Sequence, residues 1–326
     1  MNTHPYDRLT PDLVIDAVES TGRLSDARLL ALNSYENRVY QVGIEDGEPL
    51  VAKFYRPGRW SREQIAEEHA FSLELQAADI SVVAPLADDS GTTLHEHDGF
   101  LFALFQRRGG YPPELDNLDN LLVLGRTLGR IHAVGRSGRF SHRQDINVQR
   151  MLADSRSLLL EGFIPSALLP AYESLTADLL AAVETVYAEV KDADLIRLHG
   201  DCHVGNILWR DDVAHFVDLD DCVTGPAVQD LWMFLNGERH DRELQLSELI
   251  EGYREFCDFD PRQLRWIEAL RTLRLVHYAA WLARRWEDPA FPRAFTWFNT
   301  ERYWAEHILE LREQLAALQE EPLRLL

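Results

Sequence analysis

Residues 198–220 read Leu-His-Gly-Asp-Cys-His-Val-Gly-Asn-Ile-Leu-Trp-Arg-Asp-Asp-Val-Ala-His-Phe-Val-Asp-Leu-Asp, and the spacing within this stretch decides the fold class. Asp201 lies five residues before Asn206, and Asn206 lies twelve residues before Asp218. A carboxylate can meet an acceptor hydroxyl, while an amide oxygen and a second carboxylate are hard ligands that suit Mg²⁺. The pattern predicts phosphoryl transfer from ATP, with Asp201 and Asp218 as catalytic groups and Asn206 and Asp218 as magnesium ligands.

A β-hairpin is predicted between the two magnesium ligands. An apolar run at 207–209 follows Asn206, polar residues at 210–212 supply turn chemistry, and the chain returns through 214–217 to Asp218. Pairing of these strands would bring Asn206 and Asp218 to the same end of the hairpin. One ion could then bind both residues, although they are distant in sequence.

The same segment offers an alternative, a transition-metal site, because four possible ligands are crowded together: His199, Asp201, Cys202 and His203. Zinc sites favour spaced pairs of Cys and His, and no second pair in the sequence completes a tetrahedron. We therefore interpret the two histidines as loop supports that hydrogen-bond backbone or carboxylate groups.

Composition bounds the protein's size and its partners. The chain has 326 residues, of which 46% are hydrophobic, so it can bury a large core in two domains or two lobes. Its 33 basic and 54 acidic residues give a net charge of −21. Such a field repels nucleic acid and anionic lipid, so we expect neither as a partner, whereas cationic groups would be attracted.

Cysteine usage and the lack of a targeting segment predict a cytoplasmic protein. Cys202, Cys222 and Cys257 lack paired spacing, which is typical of reduced thiols rather than of a disulfide framework. The N-terminus carries no apolar signal segment, and nowhere do about eighteen uncharged apolar residues follow one another.

Breaker residues at 106–113 mark a predicted boundary between two lobes of an α+β fold. Residues 1–105 are expected to form a nucleotide-binding lobe with a small mixed sheet and one helix. Its strands are predicted near 39–42, 50–54, 82–85 and 99–105, and its helix between Ser61 and Asp79. Residues 106–326 are expected to form a mainly helical lobe with the catalytic loop and hairpin, its helices predicted near 118–132, 244–256 and 264–286.

Lys53 is a candidate ATP-binding residue at the end of an apolar strand. A helix containing Glu67 and Glu68 follows it, as in kinases whose strand lysine pairs with a helix glutamate and holds the α and β phosphates. We prefer Glu68 as the partner, because the leucines of the helix then fall where it would pack; Glu67 stays possible.

The loop that covers the phosphates is predicted at 33–38. It contains no glycine, so the usual Gly-rich fingerprint is absent. Backbone amides of an Asn-Ser turn, together with the Ser34 hydroxyl, could still meet phosphate oxygens. An ordinary polar hairpin is the alternative interpretation.

Six further charged residues flank these candidates. Asp220 and Asp221 are interpreted as neighbours that support the metal site, and Asp230 as a structural residue that opens a helix and accepts hydrogen bonds. The other three form a basic cluster for which a solvated face is the default and phosphate contact the alternative: Arg56, Arg59 and Arg62.

Motifs along almost the whole chain carry a resemblance to a known family. They are the stretches 32–40, with Leu-Asn-Ser-Tyr-Glu-Asn-Arg-Val-Tyr, 51–57, with Val-Ala-Lys-Phe-Tyr-Arg-Pro, and 198–209, 216–221 and 225–232. The chain resembles the bacterial stress response kinase A family, within the wider aminoglycoside phosphotransferase and choline kinase group. The Ser34 loop and the Lys53 strand narrow the resemblance from the group to the family.

The resemblance implies a bilobal protein-kinase-like fold and Mg²⁺-dependent phosphorylation of Ser or Thr hydroxyls on proteins. It implies monomeric cytoplasmic enzymes that help bacteria survive envelope and oxidative stress. By this resemblance Asp201 is the proton acceptor, Asn206 and Asp218 hold magnesium, and Ser34 contacts ATP. Gly200 stands where eukaryotic protein kinases have the Arg of His-Arg-Asp, which argues against activation by a phosphorylated loop docking there.

Two other functions stay open. A small-molecule kinase of the aminoglycoside, choline or homoserine type would use the same machinery, and the acidic charge suits cationic acceptors equally well. A non-catalytic binding protein that kept the fold is disfavoured, because Lys53, Asp201, Asn206 and Asp218 are all present.

Overall fold

A five-stranded sheet occupies the first third of the chain in the computed structural model, which describes residues 5–326. Its order is β1-β2-β3-β5-β4, with β1 at Ser25–Leu32, β2 at Arg38–Ile44, β3 at Leu50–Phe54, β4 at His95–His97 and β5 at Phe100–Gln106. The prediction of a mixed sheet was wrong in strand direction, because all four pairings are antiparallel. Short connections join β1 to β2, β2 to β3 and β4 to β5, and such connections favour antiparallel pairing.

The strand predicted at 82–85 is absent from the described sheet. Val82 forms an isolated bridge with Phe216, and Pro85 forms one with Phe105. The Val83 N–H donates to the Phe216 carbonyl oxygen at 3.0 Å and the Phe216 N–H to that of Ser81 at 2.9 Å, so the start of this segment pairs outside the sheet.

Two helices accompany the sheet, α1 at Pro11–Glu19 and α2 at Arg62–Ala77. The remaining eight α-helices of the described chain follow β5, and two short ladders lie among them. The helices are α3 at Leu118–Gly135, α4 at Asp154–Gly162, α5 at Leu169–Tyr187, α6 at Gln229–Trp232, α7 at Arg239–Arg254, α8 at Ile267–Arg284, α9 at Ala290–Ala294 and α10 at Glu301–Ala317. The ladders pair β6, Leu195–Leu198, with β9, Val223–Pro226, and β7, Ile207–Arg210, with β8, Val213–Phe216.

Helix α2 begins where the sequence predicted, and it connects the sheet to the helical part. Ser61 accepts a hydrogen bond from the Gln64 backbone N–H, and the Gln64 side chain accepts one from the Ser61 N–H, which forms a capping box. Ile65 packs in a small cluster with Ala103 of the sheet. Phe71, farther along α2, belongs to the large core of the helical part. The helix is therefore held from both sides.

An antiparallel sheet lobe and a helical lobe together make a protein-kinase-like bilobal fold. β5 ends at Gln106, next to the predicted boundary at 105 and 106, and that division stays a prediction. Within residues 5–326, no helix combines the length and the apolar character needed to cross a bilayer.

Glycines let helices α3 and α7 approach closely. A Cβ atom on Gly125 would lie 2.0 Å from the backbone oxygen of Leu249, and one on Gly252 would lie 2.1 Å from that of Leu122. Both distances are far inside van der Waals contact. The pair can therefore pack backbone against backbone only because these residues lack side chains.

We expect Gly125→Ala to destabilise the protein by about 3 kcal/mol, because the added methyl group forces α3 and α7 apart in a packed core. Thermal unfolding should show a melting temperature lower by roughly 5–10 °C. Gly162→Ala at the end of α4 is the matched control, since a Cβ there meets open space. A Gly125→Ala protein that melts with the wild type would contradict the close approach.

Candidate active site

The loop that carries Asp201 is fastened to a buried carboxylate. Gly200, which precedes Asp201, has φ +86°, and a Cβ atom there would lie 2.3 Å from the backbone oxygen of Asp221. Asp230 accepts hydrogen bonds from the backbone N–H groups of His199, at 2.8 Å, and Gly200, at 2.9 Å. His132 of α3 also bonds Asp230 at 3.1 Å. Asp230 therefore holds the loop in place, in agreement with its predicted structural role.

Asp201 has two positively chargeable neighbours. Arg274 of α8 donates to its Oδ1 at 2.6 Å, and His203 Nε2 lies 3.5 Å from its Oδ2. Burial raises the pKa of this carboxyl, but the hydrogen bond from His203 and the charge of Arg274 outweigh it and hold the pKa well below its usual range. Asp201 is therefore an anion at neutral pH.

The predicted hairpin is confirmed. Ile207 pairs with Phe216, and the Val217 N–H donates to the Asn206 carbonyl oxygen at 3.0 Å. This register brings Asn206 and Asp218 to the same end of the hairpin. Asp218 has φ +60°, a left-handed conformation that ends the extended chain after the hairpin.

The Asn206 amide is oriented by the Asp201 backbone. Its Nδ2 donates to the Asp201 carbonyl oxygen at 2.9 Å, which leaves the amide oxygen available as a ligand. The Asp218 side chain is 54% exposed, and Lys53 contacts its Oδ1. Mg²⁺ commonly takes one or two protein oxygens and completes its shell with phosphate and water oxygens, so this donor set fits the ion.

Lys53 lies among three carboxylates. Its Nζ is 3.0 Å from Asp218 Oδ1, 3.1 Å from Asp220 Oδ1 and 3.3 Å from Glu68 Oε1. Burial alone would lower the pKa of Lys53, but Asp218, Asp220 and Glu68 hold it well above the ordinary value. The ammonium is therefore a permanent charge at the centre of the cleft.

The choice between the two helix glutamates is resolved in favour of Glu68. Glu67 instead accepts backbone hydrogen bonds from Ser141, His142 and Arg143, at 2.6 to 2.9 Å. Arg143 also donates to Glu68 Oε2 at 3.1 Å, on the side away from Lys53. Glu68 thus positions Lys53, and Glu67 ties α2 to the helical lobe.

The loop at 33–38 reaches the acidic residues of the cleft. The Ser34 hydroxyl donates to the Asn37 carbonyl oxygen at 3.1 Å, and the Asn37 Nδ2 donates to Asp220 Oδ2 at 3.2 Å. Glu36 accepts a bond of 2.6 Å from Trp281 Nε1 and lies 2.5 Å from Arg285 Nε. The loop therefore contacts both Asp220 and the helical lobe, and a Ser34 contact with ATP stays a prediction.

The basic cluster at 56–62 separates into three environments. Arg59 is half-buried and bridges Asp220 and Asp221, with both distances 2.5 Å. Arg56 contacts Asp288 at 2.9 Å, whereas Arg62 is exposed and pairs with Glu96. The solvated interpretation therefore holds for Arg62 and was wrong for Arg59. Arg59 neutralises Asp220 and Asp221, which the sequence placed beside the metal site.

The zinc alternative finds no support in the described residues. Cys202 is buried, and burial raises the pKa of its thiol well above the usual range, which disfavours the thiolate that zinc needs. His199 Nε2 bonds the Val217 carbonyl oxygen at 2.9 Å, and His203 Nδ1 accepts from the Gly205 N–H. Both histidines support the loop, as predicted. No group of three His, Cys, Asp or Glu side chains in residues 5–326 is arranged to hold a metal.

Sequence reasoning missed Arg274 and Arg143, and it gave Glu36 no role of its own within the predicted loop at 33–38. Each contacts the site from an element distant in sequence, so local spacing gives no sign of it. Lys53 was predicted from its strand, and the composition carries a second sign of its role. The chain contains two lysines, Lys53 and Lys191, among its 33 basic residues. A lysine at a buried strand end in so arginine-rich a chain indicates a role that arginine does not fill.

Comparison with known proteins gives a consistent result across the chain. Residues 28–267 match the model of the phosphotransferase enzyme family. The chain is 48% identical over 321 residues to stress response kinase A of Escherichia coli strain K12, which covers 98% of this chain and 97% of that protein. It is 46% identical over 325 residues to serine/threonine protein kinase RdoA of Salmonella typhimurium, which covers 99% and 98%.

Solved structures with low sequence identity share the fold. An amicoumacin kinase, hAmiN, in complex with AMP-PNP, Ca²⁺ and Ami, aligns with a TM-score of 0.73 at 19% identity, covering 94% of this chain and 93% of that chain. A microcompartment-associated aminopropanol kinase aligns with a TM-score of 0.69 at 19% identity, covering 96% and 99%.

Proposed function

We propose that this chain, which belongs to the phosphotransferase enzyme family and within it to the stress response kinases A, phosphorylates Ser and Thr hydroxyls of proteins with ATP. The chain is a kinase, and its role lies in the bacterial stress response that gives its relatives their name. The observation that carries the proposal is the convergence of Asp201, Asn206 and Asp218 beside the ammonium of Lys53.

Asp201 is proposed to orient the acceptor hydroxyl and to receive its proton. Because His203 and Arg274 keep its pKa low, the carboxylate is a weak base, and it takes the proton late, when the oxygen has begun to bond to phosphorus. Asp201 thus acts mainly by position. Arg274 must share or release Oδ1 when the hydroxyl enters, since both need the same carboxylate.

Lys53 and the loop at 33–38 are proposed to hold ATP. Lys53 would neutralise the inner phosphates while Glu68 keeps the ammonium in place from the far side. The Ser34 hydroxyl would exchange its bond with the Asn37 carbonyl oxygen for a bond with a phosphate oxygen.

Asn206 and Asp218 are the residues that would hold Mg²⁺, since an amide oxygen and a half-exposed carboxylate meet at the hairpin end. When bound, the ion supplies neutralisation of the phosphate charge during transfer. Asp220 and Asp221 are not proposed as magnesium ligands, because the Arg59 guanidinium already pairs with both carboxylates.

We further propose that the enzyme acts as a monomer in the cytoplasm, with neither nucleic acid nor membrane as partner. All three cysteines are free and buried, as suits a reducing compartment. The net charge of −21 opposes contact with other polyanions.

Transfer of labelled phosphate tests the proposal against a small-molecule kinase. The protein is incubated with γ-labelled ATP and Mg²⁺ and offered either a dialysed bacterial protein extract or the metabolite fraction of the same cells. We expect label in protein, on Ser or Thr after acid hydrolysis. Label that enters only the metabolite fraction would favour the amino-alcohol type of activity shown in the names of the solved relatives.

A further inference from the structure

One face of α8 leads away from the catalytic aspartate. Arg274 Nη1 contacts Asp201 Oδ1 at 2.6 Å. His277, Tyr278, Trp281 and Arg284 follow at spacings of three or four residues, which places them along the same side of the helix. A segment that delivers a hydroxyl to Asp201 therefore has this face as a neighbour.

Several arginines lie on or beside this face. Burial lowers the pKa of His277 to about 3, and the charges of Arg150, Arg284, Arg285 and Arg274 act in the same direction. The Ser155 hydroxyl joins two of these groups, since it lies 3.2 Å from His277 Nδ1 and accepts from Arg284 at 3.3 Å. Asp201 pairs with Arg274 and Glu36 with Arg285, so the charge of this face that is not held in an ion pair belongs to Arg150 and Arg284.

Two of these arginines have no ion-pair partner in the described chain. Arg150 donates to the Asp145 carbonyl oxygen at 3.0 Å, and its buried Nε lacks a hydrogen-bond partner. Arg284 is exposed and donates to the Ser155 hydroxyl at 3.3 Å. No carboxylate of residues 5–326 lies within 4.0 Å of either guanidinium, although Arg56, Arg59 and Arg285 each have one.

We propose that this face recognises acidic residues of the protein substrate, so that the acceptor Ser or Thr is flanked by Asp or Glu whose carboxylates bind Arg284 and Arg150. The inference rests on the proposed function and specifies its substrate class. An acidic segment of the substrate is the partner whose charge complements these arginines. Arginine binds carboxylates through paired N–H donors, and a cationic acceptor would be repelled. Salt screens the acidic remainder of the protein beyond about 8–10 Å, so the local charge governs docking.

Helix geometry sets the expected register. Arg284 lies ten residues after Arg274, which is about 15 Å along the axis at 1.5 Å per residue. An extended peptide advances about 3.3 Å per residue. A carboxylate roughly four or five residues from the acceptor hydroxyl would therefore reach Arg284.

Matched peptides test the inference. Each carries one Ser in an otherwise identical extended sequence, with Glu, Gln or Lys at the positions four and five residues away on either side. We expect kcat/KM for the Glu peptide to exceed that for the Lys peptide by about tenfold or more, with the Gln peptide between them. Equal values, or a preference for Lys, would overturn the inference while leaving protein phosphorylation established.

Variants assign the preference to the arginines. Arg284→Glu should reverse the order of the Glu and Lys peptides, and Arg284→Lys should retain it. Arg312→Gln, an exposed arginine of α10, is the control and should leave the order unchanged. If Arg284→Glu raised the KM for ATP and left peptide discrimination intact, the arginines would belong to the nucleotide and the inference would fail. If no peptide or protein accepts phosphate but a metabolite does, the proposed function itself fails.

Discussion

Asp201→Asn is expected to lower kcat by about 10³-fold, within the range that a positioned proton acceptor contributes. The amide cannot receive the hydroxyl proton, and it loses the charge that Arg274 and His203 now bind. ATP affinity should change by less than about twofold, because Lys53 and the magnesium ligands are untouched. Single-turnover transfer to a peptide and equilibrium binding of a non-hydrolysable ATP analogue measure the two quantities separately.

The control for this substitution is Asp212→Asn, in the exposed turn of the β7–β8 hairpin. It makes the same chemical change in the same segment and should leave transfer at the wild-type rate. An Asp201→Asn enzyme that transfers phosphate within tenfold of wild type would remove Asp201 from the proposed role.

Lys53→Met is expected to lower both the free energy of unfolding and the kinase activity. The methyl thioether fills the space of the side chain but leaves Glu68 and Asp220 buried without their shared ammonium. Removing one member of a buried ionic group costs about 3–5 kcal/mol, and the remaining contacts from Arg59 and Arg143 favour the lower end. Urea unfolding at neutral pH should show the loss.

Protonation of Glu68 makes the stability loss of Lys53→Met depend on pH. Burial already raises the pKa of Glu68 to about 7, against the charge of Lys53, and without that charge the pKa rises further. In the folded Lys53→Met protein Glu68 is therefore protonated. Because the unfolded chain ionises this group at lower pH, the free energy of unfolding falls as the pH rises. The deficit of Lys53→Met should consequently be smaller at pH 5.5 than at pH 8.

Lys191→Met is the natural comparison, since it replaces the other lysine of the chain at an exposed position. It should bind ATP and unfold like the wild type. A Lys53→Met protein as stable as Lys191→Met at pH 8 would show that the carboxylates of the cleft do not depend on Lys53.

Local patterns in the sequence were sufficient for the elements that carry the site. The hairpin, the capped helix α2 and strand β3 each depend on neighbours within a few residues, and each was predicted. The strand expected at 82–85 was wrong because tertiary position overrode an apolar run. Val82 lies beside Phe216 rather than in the sheet.

Contacts across the cleft could not be predicted in this way. Arg274 meets Asp201 across 73 residues, and Trp281 meets Glu36 across 245. The α8 periodicity indicated a core helix, and most of its residues are indeed buried. Periodicity does not distinguish a polar residue that faces solvent from one that faces a catalytic carboxylate, so the arginines of this face emerged only from the fold.

Glu36 joins the two proposed binding regions by direct contacts. It lies in the loop proposed to cover the phosphates, and it bonds Trp281 and Arg285 at the far end of the face proposed to receive the acceptor. If ATP draws this loop away, those bonds change, and the affinity for the acceptor changes with them. Linkage then requires the acceptor to alter ATP affinity by the same factor. A single carboxylate would thus make the two substrates bind cooperatively or competitively, but not independently.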